Sequence, residues 1–157
     1  MPQPLYSIDT SSLVAAWLER YPIKNFPGFW TELEKAIVSG DVRASAEVLR
    51  EVKKRDAELH KWCKVQSALF IEVDNACQTH VGTIMTKYPR FVDTRTGKNS
   101  GDPFVIALAL QHTPQLTVVT EENGGSDSRP AIPHVCGALG VRQIKLLDLI
   151  QSYGWRF

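Results

Sequence analysis

The chain has no run of about 18 apolar residues, so nothing in it reads as a membrane-spanning helix. Its opening stretch, MPQPLYSID, lacks the basic start and apolar core of a signal peptide. Cysteine is scarce. Cys63, Cys77 and Cys136 are odd in number, scattered, and form no C-x-x-C pair. This excludes a disulfide framework and a thiolate zinc site, and predicts three small buried apolar side chains in a reducing, cytoplasmic compartment. An excess of either charge is also missing. With 18 Lys and Arg against 17 Asp and Glu, the formal net charge is +1, so any surface for nucleic acid must be local. His60, His80, His112 and His134 show no H-E-x-x-H spacing and read as ordinary surface or core residues. No G-x-S-x-G elbow is present for serine catalysis. Gly97-Lys98 fails as a P-loop, because Val92 stands where the first glycine belongs and Asn99 follows the lysine. Asp9-Thr10-Ser11 lacks the second aspartate of an aspartyl-phosphatase.

What is present is a globular composition: 157 residues, 43% hydrophobic and 22% charged, enough for one domain over 1–157 with a real core. Leu5 to Ile8 reads as a buried first strand. Ser11 or Ser12 is placed to cap a helix running to about Tyr21. Phe29 to Val38 repeats at helical spacing and is stopped by Ser39-Gly40-Asp41. Val42 to Ser45 reads as a second strand. A long apolar stripe from Val48 to Val73 follows, expected to break into two or three helices before Tyr88-Pro89. Asp102-Pro103 opens a helix to Gln111, and Leu116 to Thr120 is a β-branched strand. Val135 to Leu139 reads as a short helix, and Ile144 to Leu147 as a strand or a helix start. Strands alternating with helices predict an α/β domain with a parallel sheet covered on both faces.

In such sheets the site lies beyond the carboxyl ends of the strands. Acids recur there: Asp9 after the first strand, Glu47 and Glu51 after the second, Asp102 after a polar loop, and Glu121-Glu122 after the Leu116–Thr120 strand. Each has a plain structural reading as well. Asp102 before Pro103 has the form of a helix N-cap. Glu51 can pair with Arg55 along a helix, and Glu121-Glu122 can simply begin a polar loop. Gathered in one cleft, however, two such charges about 4 Å apart would repel by roughly 4 kcal/mol at an effective dielectric near 20. A hard divalent cation, Mg²⁺ or Mn²⁺, would relieve that repulsion and bring phosphoryl-transfer chemistry with it.

The segments YSIDTSSLV, SAEVLREV, DPFVIALAL and LTVVTEE, in this order and in these strand and helix contexts, resemble the PIN-domain family. The resemblance extends to FPGFW, IPHVCGALGV and GWRF, as in a PIN-like branch described as a domain of unknown function. It implies a three-layer α/β/α fold around a parallel sheet of four to five strands. It also implies a Mg²⁺- or Mn²⁺-dependent nuclease leaving a 5′-phosphate and a 3′-hydroxyl. Many bacterial members are toxin ribonucleases held silent by an antitoxin, so RNA substrate, an antitoxin partner and a homodimer become the expected associations.

Residue by residue, Asp9, Glu51 and Asp102 match the family's first three acids, with Glu47 the alternate for the second. Thr120 and Glu122 match the strand–Thr–x–acid pattern, with Glu121 the alternate. Ser11 stands where the family commonly has Asn, and Glu122 where Asp is more usual. Arg95 and Lys98, just before Asp102, are candidates for guiding a phosphate backbone, with Lys24, Arg43 and Arg129 next in line. The rival readings are a non-catalytic PIN-like module that binds RNA or protein, and a DNA nuclease.

Overall fold

The structure, a computed structural model, describes residues 4–157. Residues 1–3 of the opening stretch assessed for a signal peptide lie outside the described residues. Five short strands build one sheet: β1 (Tyr6–Ile8), β2 (Val42–Ser45), β3 (Phe70–Ile71), β4 (Thr117–Val119) and β5 (Gln143–Ile144). Every neighbouring pair is parallel and the order is β3-β2-β1-β4-β5. Eight α-helices surround it: α1 (Thr10–Ala15), α2 (Pro27–Ser39), α3 (Ala46–Arg55), α4 (Ala57–Val65), α5 (Asn75–Lys87), α6 (Asp102–Gln111), α7 (Ile132–Leu139) and α8 (Leu146–Tyr153).

The chain winds outward from β1 in one direction through β2 and β3, then returns to β4 and β5 on the other side. Parallel crossovers are right-handed, so the reversal puts α1–α4 on one face and α5–α7 on the other. Packing agrees: α1 lies on α3, while α6 lies on α5, α7, β1 and β2. Because both faces are covered, the strands are apolar nearly throughout. Ile8, Val42, Ala44, Val118 and Val119 are all buried. The aromatic end of α8 folds back toward α2, with Tyr153 stacked on Trp155 and Trp155 edge-on to Phe29. All three cysteines are free and buried, and burial pushes the Cys63 and Cys136 thiols up to about 12. They are inert packing residues.

Several local expectations need correction. The first helix begins at Thr10, not after a serine cap. Asp9 occupies the N-cap position, but its side chain makes no capping bond. The helix continues through a π-helical stretch, Ala16–Arg20. The apolar stripe after Val48 hides an edge strand, β3, between α4 and α5. Its breaks were written in the chain as aspartate caps. Asp56 accepts from the Leu59 N–H at 2.8 Å, and Asp74 accepts from the Cys77 N–H at 2.8 Å. Helix α7 starts three residues before Val135, because Pro133 is tolerated in a first turn. Gly40 closes α2 at φ 95°, a left-handed conformation that suits glycine. Among the described residues, no helix is long and apolar enough to cross a membrane.

Candidate metal centre

The winding reverses between β1 and β4, and an open parallel sheet leaves a crevice at the carboxyl ends of its strands where that happens. Asp9 follows β1 directly, and Thr120, Glu121 and Glu122 follow β4. Helix α6 brings in Asp102 from above: it crosses β1 and β2, and the Ser7 hydroxyl donates to the Val105 carbonyl at 2.8 Å. One carboxylate oxygen from each of Asp9, Asp102 and Glu122 lies within 4.8 Å of the other two. Asp9 and Asp102 are 1% and 3% exposed, so their charges are almost wholly removed from water.

The Asp9 carboxylate is oriented by hydroxyls. Its Oδ2 accepts from Ser11 Oγ at 2.6 Å and from Thr120 Oγ1 at 3.0 Å. Ser11 Oγ in turn accepts the Glu121 N–H at 3.0 Å, and Thr120 Oγ1 accepts the Glu122 N–H at 3.1 Å. Two hydroxyls therefore tie the end of β4 to the end of β1 and leave Asp9 Oδ1 without a partner. Asp102 Oδ2 and Glu51 Oε1 are likewise buried and unpartnered. Unsatisfied buried carboxylate oxygens cost several kcal/mol, and two of these three belong to clustered acids, Asp9 and Asp102. Glu122 is steered by the first turn of α7, whose Ile132 N–H reaches its Oε1 at 3.5 Å.

Asp102 is not a helix cap. Gly101 holds the N-cap position and has helical dihedrals (φ −84°, ψ −17°), so Asp102 is the first helical residue and its side chain is free to face the acids. Glu51 does not ion-pair along its helix; that role falls to Glu47, which holds Arg50 at 2.7 Å. Glu51 lies instead against Gly101, where an added Cβ would overlap its Oε1 and come within 2.9 Å of its Cδ. Glu51 stands beside the three clustered acids rather than among them. Glu121 points away: it accepts the Leu146 N–H at 2.7 Å and pairs with Arg20 at 3.3 Å. Lys145 Nζ donates to the Glu122 carbonyl, a further clamp on this loop.

The electrostatics follow from burial and crowding. Burial raises Asp9, against the hydrogen bonds from Ser11 and Thr120. Burial, then the charges of Asp9, Glu122 and Glu51, push Asp102 well above the carboxylate range. Burial and the Asp9 charge lift Glu122 to about 7, and the same two causes lift Glu51 to about 7. Four neighbouring acids that resist ionisation, three with an orphaned oxygen, form an all-oxygen donor set suited to a hard divalent cation.

The basic candidates separate. Lys98 lines a cavity of about 160 Å³ that also contains Glu51. Arg95 lines a different hollow and reaches Asp93 at 3.9 Å. Arg43 spends its guanidinium on the Ile37 and Val42 carbonyls, both at 2.9 Å. Lys24 and Arg129 are exposed. Lys54 and Arg55 line the cavity with Lys98; the sequence pointed to Arg55 only as a partner for Glu51 and not to Lys54, although they stand four and three residues after Glu51 and so share its helix face.

The position of Gly101 yields a direct test. Alanine suits its backbone, so the cost of Gly101→Ala is the clash with Glu51 alone. The variant should fold, lose about 1 kcal/mol and about 2–4 °C in melting temperature, and show about tenfold weaker Mn²⁺ binding by calorimetry. Unaltered Mn²⁺ affinity would remove Glu51 from the centre.

No curated protein matches the chain. Among solved structures it is similar to a chain of the VapBC2 crystal structure from Rickettsia felis, bound to a DNA fragment from their promoter. The match has a TM-score of 0.54 and 16% identity over 90% of this chain and 98% of that one. The likeness is one of fold, and the fold is PIN-like: an all-parallel five-stranded sheet flanked by helices. Residues 6–157 match the family described as a domain of unknown function (DUF4411), and the chain belongs to that family.

Proposed function

We propose that this protein is a Mg²⁺- or Mn²⁺-dependent nuclease of the PIN type. We further propose that it hydrolyses phosphodiester bonds in RNA as the toxin half of a toxin–antitoxin pair, in the cytoplasm. The observation that carries the reading is the convergence of Asp9, Asp102 and Glu122 at the reversal point of the sheet, within 4.8 Å and with orphaned oxygens on Asp9 and Asp102. Such a set is what a metal-dependent nuclease uses: Asp9, Asp102 and Glu122 would hold a divalent cation, which would supply water activation and charge neutralisation at the phosphate. Glu51 would stand next to them.

The chain's other groups hold the acids in register. Ser11 and Thr120 fix one Asp9 oxygen and so turn the other toward the centre. The α7 N-terminus steers Glu122, while Glu121, Arg20 and Lys145 brace the loop that carries it. This bracing matters because catalysis by positioning tolerates little slack. The shared fold with a chain of VapBC2 supports an antitoxin as partner.

The test pairs stability with cleavage. Millimolar Mn²⁺ should raise the melting temperature of the wild type, and Asp9→Asn should abolish that rise. A unit charge about 4 Å from a divalent cation is worth roughly 8 kcal/mol at an effective dielectric near 20, so the loss of the Asp9 charge should weaken binding by more than about a thousandfold. Labelled RNA and DNA of one sequence, incubated with and without Mn²⁺, decide the substrate. Equal thermal shifts in wild type and variant, with no metal-dependent cleavage, would sink the nuclease reading.

A further inference from the structure

Beside the acid cluster lies a cavity of about 160 Å³ whose walls carry three cationic side chains: Lys54 and Arg55 from the last turn of α3, and Lys98 from the loop before α6. Basic residues in a last turn complement the helix dipole, and that accounts for Lys53, which is exposed and lines no part of this cavity. It does not account for Lys98, brought to the same hollow from another element. Among the described residues, the ion pairs within 4.0 Å engage Arg20, Lys35, Arg50, Arg95 and His134; Lys54, Arg55 and Lys98 make none that close, and the first two act on the Glu51 carboxylate in the same hollow only at longer range.

The loop that presents Lys98 is tightly built. Asp93 and Lys98 form an antiparallel bridge. The Asp93 carboxylate accepts the Arg95 and Thr96 N–H groups at 3.0 and 3.4 Å, and Thr96 Oγ1 accepts the Lys98 N–H at 3.2 Å. Gly97 turns the chain at φ 70° and packs toward α3, where an added Cβ would stand 4.0 Å from Lys54 Nζ. Three cations share this hollow with the single carboxylate of Glu51, an excess of positive charge that a bound anion would balance. The volume is several times the roughly 30 Å³ share of one water molecule, which suits one tetrahedral anion with some of its hydration. Glu51 lines the hollow and feels the charge of Asp9, so the hollow adjoins the acids.

We propose that Lys54, Arg55 and Lys98 form a seat for one backbone phosphate of a single-stranded nucleic acid, next to the phosphate that is cut. This rests on the nuclease reading. Arg95, facing another hollow, lies outside the seat. Losing the contact to one phosphate of a single strand should lower the slope of log affinity against log salt by about 0.7.

The experiment measures the affinity of a labelled single-stranded RNA, and of DNA of the same sequence, from low to moderate salt in an Asp9→Asn background without divalent metal. Lys54→Ala/Arg55→Ala/Lys98→Ala should bind at least tenfold more weakly with the slope reduced by about 0.7. Each single substitution should weaken binding less than the triple variant does. The charge-keeping set Lys54→Arg/Arg55→Lys/Lys98→Arg should restore the slope, and Arg95→Ala should leave it unchanged. An unaltered slope in the triple variant overturns the proposal, as does an equal effect of Arg95→Ala or no binding by the background protein. If the seat variants behave as expected while wild type shows neither a Mn²⁺ shift nor cleavage, the nuclease reading falls and the phosphate seat stands.

Discussion

Asp102→Asn should stabilise the metal-free protein at neutral pH while removing most of its metal-dependent cleavage. A helix cap would behave differently, since asparagine and aspartate cap about equally and stability would hardly move. Asp102 is not in the cap position; it is 3% exposed, its Oδ2 is unpartnered, and the charges of Asp9, Glu122 and Glu51 oppose its ionisation. Asparagine keeps the shape and removes the ionisable group. The expected gain is on the order of 1–3 kcal/mol, or several degrees in melting temperature at about 2–4 °C per kcal/mol for a chain of this size. Cleavage should fall by at least a hundredfold, because a cation would lose a charged ligand. Stability and activity then move in opposite directions, as they do where function maintains a strained site. A folded Asp102→Asn protein that cuts at the wild-type rate would show that Asp102 is not a ligand. A marked drop in metal-free stability would make it a structural residue.

The second large effect is a pH dependence that divalent metal reverses. Glu51 and Glu122 have ordinary values of 4.5 and are raised to about 7, first by burial. In this window the native state binds more protons than the unfolded chain, so the sign of the linkage is negative. Both groups favour the fold below about 4.5, and that contribution is lost as pH rises from there through 7. Discounted for partial exposure, each is worth on the order of 1–3 kcal/mol. Cation binding needs the deprotonated acids, so the stabilisation by Mn²⁺ should be small at pH 5 and grow through pH 7 to 8. Thermal melts at a series of pH values, with EDTA or with saturating Mn²⁺, measure both curves. Glu122→Gln should flatten the metal-free curve. A metal-free protein whose stability climbs between pH 5 and 7, with a pH-independent Mn²⁺ shift, would contradict the crowded-acid account.

Much of this protein was legible in its sequence because the relevant forces are local. Apolar runs such as Leu116–Thr120 can only be buried strands, and the alternation of strands with helices allows little but a parallel sheet. The acids Asp9, Asp102 and Glu122 stand out because each directly follows or opens such an element. What local reasoning misjudged were elements whose own signal is weak. β3 is two residues long and sits inside a helical apolar stripe, so only its pairing with Ala44 and Ser45 makes it a strand. The caps at Asp56 and Asp74 marked its neighbours, yet the strand itself depends on the sheet edge that receives it.

Choices between adjacent acids were beyond the sequence for a geometric reason. Glu121 and Glu122 differ by one position, and the chain leaving β4 turns them in different directions, one to α8 and Arg20, the other to the centre. Glu47 and Glu51 share a helix face, but only the Gly101 contact draws Glu51 toward Asp9. Lys54 and Arg55 meet Lys98 only because the Asp93–Lys98 turn folds onto the end of α3. The sequence by itself determined the sheet, its covering helices and the supply of acids at its carboxyl edge. The tertiary structure alone decided which of those acids face one another and where the cations gather, because convergence depends on side-chain direction at contacts between residues far apart in the chain.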